Sequence, residues 1–70
     1  MNNELYLNKE IYSKSAIIET IMAFHNLSEI HLEESDIYRI CIFSRCRFSI
    51  ERTMLEFENY LISISNRERG

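Results

Sequence analysis

Two histidines and two cysteines, His25, His31, Cys41 and Cys46, are the side chains of this 70-residue sequence best suited to holding a metal ion. Structural zinc sites usually gather their cysteines on a tight turn. Here four residues separate the two, and Cys41 falls within a strand-like run, so the spacing predicts no metal centre. Arg45 and Arg47 flank Cys46 and supply the cations that an activated thiolate calls for. A Cys–His nucleophile also needs an oriented base and a cradle for developing negative charge, and the only glycine is Gly70. The adjacent carboxylates Glu33 and Glu34 sit where a turn is expected, as solvated charge. No nucleophile, base and orienting group form a set, so the residues predict a binding protein with no cofactor and no catalytic activity.

The arginines are the more suggestive group. Arg39 and Arg45 share parity, so an unbroken strand puts both on the face opposite Tyr38, Ile40 and Ile42. With Arg47, they form a candidate basic strip for an acidic peptide. The alternative is a solvated outer face that protects the sheet from aggregation. Residues 1–38 carry two lysines against seven carboxylates, a net of −5, and residues 39–70 carry six arginines against four carboxylates, a net of +2. A sequence pI near 5.3 argues against general nucleic-acid binding.

These residues must be positioned by a small scaffold. At 70 residues with 46% apolar content, residues 1–70 are expected to form a single domain whose core supplies only ~3–5 kcal/mol of net stability. Two cysteines and the lack of an opening signal-like segment predict a cytoplasmic protein with reduced thiols. No apolar run approaches the ~20 residues needed to cross a membrane.

Alternation through Leu5 and Leu7 predicts a strand over Glu4 to Asn8. A helix is expected from Ser13 onward, with Ser13 or Ser15 as N-cap, Ile17, Ile18, Ile21, Met22 and Phe24 as one apolar stripe, and Asn26 near its end. Glu29, His31 and Glu33 alternate with Ile30 and Leu32; after a turn at Glu34-Ser35-Asp36 comes the β-branched and aromatic run Ile37 to Phe43. That pair reads as an antiparallel hairpin. Ile50, Met54, Phe57, Leu61 and Ile64 then recur at helical spacing behind Ser49 as N-cap. The expected fold class is α+β in the order β-α-β-β-α, with two helices packed on one face of a short, mainly antiparallel sheet and the other face partly open. The pairing of the first strand is left undetermined. Leu55 and Ile62 lie more than about 100° from the main stripe of the last helix, which suggests an interface; burial under the preceding loop is the competing account.

The run Leu7-Asn8-Lys9-Glu10-Ile11-Tyr12-Ser13 followed by Ala16-Ile17, and the closing Phe57-Glu58-Asn59-Tyr60-Leu61-Ile62 with Arg67, resemble the two ends of the small HxsD proteins of the His-Xaa-Ser system. Element order and length agree across nearly the whole chain. The resemblance implies a bacterial accessory protein that acts beside radical S-adenosylmethionine (radical SAM) enzymes in the maturation of a ribosomally made precursor peptide. The cluster and the chemistry would belong to the enzyme. The expected partners are therefore the radical SAM enzyme, the precursor peptide, or both. Arg39, Arg45, Arg47, Leu55 and Ile62 are the candidate contact residues. The alternative is a self-assembling structural or regulatory module, a homodimer formed through the last helix or a sheet edge.

Overall fold

The computed structural model of the chain describes residues 2–69. Its elements are β1 (Glu4–Asn8), α1 (Lys14–Ala23), β2 (Glu29–Glu34), β3 (Tyr38–Ser44) and α2 (Ile50–Arg69). The strands form one antiparallel sheet in the order β1-β3-β2, so β1 is an edge strand paired with β3. Because β1 and β2 both run against β3, they are parallel to each other, and α1 connects them across the intervening strand. This is a split β-α-β unit.

Local chemistry sets the element ends. Ser13 is extended at φ −73°, ψ 153°, and its Oγ accepts the Ala16 N–H at 3.1 Å. Ser49 does the same for α2, accepting the Arg52 N–H at 3.2 Å, with Glu51 in the first turn where the helix dipole favours an anion. In the β2–β3 turn the Ser35 N–H donates to the Tyr38 carbonyl at 2.8 Å, and the Tyr38 N–H returns to Ser35 Oγ at 3.1 Å.

The core lies between the two helices and one face of the sheet. Leu7, Cys41 and Phe43 from the sheet meet Ala16, Ile17 and Phe24 of the α1 segment and Phe57, Leu61 and Ile64 of α2. Phe57 is completely buried, with its ring edge-on to Phe43 at 5.2 Å and to Phe24 at 5.5 Å. Edge-to-face pairs of this kind add about 0.5–1.5 kcal/mol beyond burial. One side chain thus joins both helical segments to the central strand.

The buried stripe of α1 differs from the expected one. Ala16, Ile17 and Thr20 are buried, Ile21 is half-buried, and Ile18 and Met22 are exposed. The five apolar residues are spread too widely for one helix to bury against one sheet. Small Ala16 permits close approach, and Thr20 can be buried because its hydroxyl donates to the Ala16 carbonyl at 2.8 Å.

Candidate functional site

The face of β3 covered by the helices is the odd-numbered one, carrying Arg39, Cys41 and Phe43; Tyr38, Ile40 and Ile42 lie on the uncovered face. The expected parity holds, but Arg39 is on the covered face and contributes to no exposed strip. Cys41 and Phe43 are buried on that face in one cluster with Leu7 and Phe57. Arg39 lies at the margin of the core with its side chain 16% exposed, its Nη1 donating to the Tyr12 carbonyl at 3.3 Å and its Nε 3.7 Å from Glu34. Arg45 does not continue the strand. Its φ of 51° is left-handed and turns the chain out of the sheet, leaving the side chain 3.6 Å from Glu29. Arg47 is exposed, and its N–H donates to the Leu27 carbonyl at 2.8 Å, tying this loop to the segment after α1.

Several arginines of the second half therefore meet carboxylates of the first: Arg39 with Glu34, Arg45 with Glu29, and Arg67 with Glu19 at 3.1 Å. Much of the charge asymmetry is satisfied within the molecule. Glu34 also receives Lys9 at 3.3 Å and Lys14 at 3.4 Å. The Lys9 ammonium, reinforced by Lys14, holds its carboxyl below the ordinary value against a smaller opposing effect of burial.

Among the described residues no helix or loop element covers the other face of the sheet. Register places Tyr6 beside Ile40 and Glu33, and Glu4 beside Ile42 and His31. Tyr6 is 52% exposed and meets the Tyr38 ring edge-on at 5.7 Å. A central apolar column of Tyr38, Ile40 and Ile42 is thus flanked by edge strands bearing carboxylates. The Tyr6 hydroxyl donates to Glu4 at 3.0 Å. That bond, the Glu4 charge, partial desolvation and the more distant Glu33 raise the phenol above its ordinary value.

Sequence reasoning missed Tyr6 and the Tyr38-Ile40-Ile42 column as a surface. The available signal was that β3 is apolar on both faces while two helices packed on one side can cover only one. On the far side of the molecule, Leu55 and Ile62 are 59% and 41% exposed, so the loop after β3 does not bury them. Between the start of α2 and the end of the α1 segment lies a cleft of about 410 Å³ lined by Phe24, Leu27, Phe48, Arg52, Thr53 and Glu56.

The candidate ligand and thiol groups are dispersed. Cys41 faces the helices, His31 lies on the uncovered face, His25 follows α1, and Cys46 Sγ lies 3.2 Å from Ser28 Oγ. Burial pushes the Cys41 thiol up to about 12, so it is protonated at neutral pH. Among the described residues no group of three or more His, Cys, Asp or Glu could hold a metal ion, and no helix is long and apolar enough to cross a membrane.

Comparison with protein-family models, with curated proteins and with solved structures finds no match in any of the three.

Proposed function

We infer that the chain is a non-catalytic binding module whose uncovered sheet face receives a peptide segment bearing apolar side chains flanked by lysine or arginine. The observation that carries this reading is the uncovered sheet face, on which Tyr6 and Tyr38 are exposed and Ile40 and Ile42 half-buried, rimmed by Glu4 and Glu33. Contiguous apolar surface on so small a protein is costly to leave exposed and is characteristic of interaction sites. The carboxylate rim selects a cationic partner over the acidic one expected from the arginines. Joined to the resemblance to HxsD proteins, the reading becomes an accessory protein for radical SAM-dependent maturation of a ribosomally made peptide. The precursor peptide would occupy the sheet face, while the iron–sulfur cluster and the chemistry belong to the enzyme.

Association would also strengthen a thin fold: a partner at one hundred times its dissociation constant contributes ~2.7 kcal/mol by mass action. The test is the melting temperature of the chain mixed separately with a synthetic peptide of apolar residues flanked by lysine and arginine and with a radical SAM enzyme of a His-Xaa-Ser system. The peptide should raise the melt, and Ile40→Lys with Ile42→Lys should abolish the rise. Leu55→Lys with Ile62→Lys, on the opposite surface, should leave the peptide effect intact. If neither partner shifts the melt or co-elutes at micromolar concentration, the accessory reading fails.

A further inference from the structure

In an antiparallel sheet, residues alternate between those bonded to a given neighbour and those whose backbone groups point away from it. The Phe43 N–H donates to the Asn3 carbonyl and the Lys9 N–H to the Ile37 carbonyl, so odd-numbered residues bond across β1 and β3. The even-numbered residues of β3 then bond the odd-numbered residues of β2. Ile30, Leu32 and Glu34 consequently direct their N–H and C=O groups outward, along the free edge of β2. The β1 edge is blunted: Asn2 Oδ1 accepts the Glu4 N–H at 3.0 Å, and the Asn8 carbonyl accepts the N–H groups of Ile11 and Tyr12. β2 has no proline, lysine or bulge to block edge pairing, and its three glutamates are the charged residues that a pairing register has to accommodate.

We propose that two copies of the chain join β2 to β2, antiparallel about a two-fold axis centred on Leu32, to form a continuous six-stranded sheet. The pleat allows even-numbered residues to pair only with even-numbered ones, which leaves few registers. Centring on His31 sets Glu29 against the second copy's Glu33 and one His31 against the other, while centring on Glu33 opposes two carboxylates directly. Centring on Leu32 sets each His31 against the other copy's Glu33, a complementary pair repeated twice by symmetry. It brings Glu34 opposite Ile30, and Lys9, Lys14 and Arg39 already offset the Glu34 charge. The uncovered faces of the two copies become one surface.

Sedimentation equilibrium of the full chain should give twice the 8.4 kDa chain mass. His31→Glu, which places carboxylates opposite carboxylates on an exposed face, should weaken the dimer by about tenfold with an unchanged circular dichroism spectrum. The exchange His31→Glu with Glu33→His should restore it. Register is read by cross-linking in a Cys46→Ser background. Residues 31 and 33 would face each other as a non-hydrogen-bonded pair with Cα atoms ~4.5 Å apart, within disulfide range. Mixed His31→Cys and Glu33→Cys chains should therefore cross-link to each other, and neither should cross-link to itself. A chain monomeric at all concentrations, a dimer indifferent to His31→Glu, or self-cross-linking of His31→Cys would each overturn the proposal.

Discussion

Glu34 illustrates how much one side chain organises here. Its carboxylate gathers Lys9 from the turn after β1, Lys14 from the start of α1 and Arg39 from β3. Because its folded-state value is lowered from the ordinary 4.5, its contribution to stability is present above that value and is lost as pH falls through the lowered one. Thermal melts of the wild type and Glu34→Gln should differ at neutral pH and converge in acid. Phe57→Ala removes the ring that joins three elements and should cost roughly 3–5 kcal/mol, comparable with the whole expected stability; circular dichroism should find it largely unfolded at room temperature. Arg45 holds a left-handed φ that costs a non-glycine residue about 1 kcal/mol. Arg45→Gly should therefore raise the denaturation midpoint or leave it unchanged. At this scale the sequence was partly legible. Cys41 was identifiable as a strand residue, but its complete burial and protonated thiol depend on α2 packing over the sheet. Its reactivity toward a thiol reagent should appear only on unfolding.

At the scale of elements, periodicity located β1, β2 and α2, and the β-branched run and serine cap located β3 and α1, each with a cap or turn at its boundary. The stripe of α2 was read almost residue for residue: Phe57, Leu61 and Ile64 are buried, and Ile50 and Met54 are half-buried. The faces of α1 and β3 were harder. Ile18 and Met22 have the chemistry of a core but lie on the wrong arc of α1, and β3 offers apolar residues to both sides. Which face is covered depends on long-range packing of Phe43 against Phe57, and no local spacing encodes it. The pairing of β1 was likewise set by the whole sheet. One consequence is testable in α2. Leu55→Lys with Ile62→Lys should leave the melting curve of the free chain within about 0.5 kcal/mol of wild type, as exposed substitutions do. A large loss would mean that these residues are buried in the folded chain in solution.

For the whole molecule, folding offsets part of the charge asymmetry of the sequence through ion pairs, two of them on the exposed surface. Arginines of the second half bind carboxylates of the first, while Glu4 and Glu33 remain around an apolar sheet face. The candidate partner therefore changes in chemistry, from an acidic peptide drawn to an arginine strip to a basic, partly apolar segment lying on the sheet. Two helices suffice to cover one side of three strands, and this chain has no further element among the described residues to cover the other. The most direct measurement is an amide chemical-shift titration of the isotopically labelled chain with a synthetic peptide of apolar residues flanked by lysine and arginine. The largest changes should fall on Tyr6, Tyr38, Ile40 and Ile42 and should weaken as salt is added. Changes confined to Arg45, Arg47 and the start of α2, with the sheet face unmoved, would contradict it.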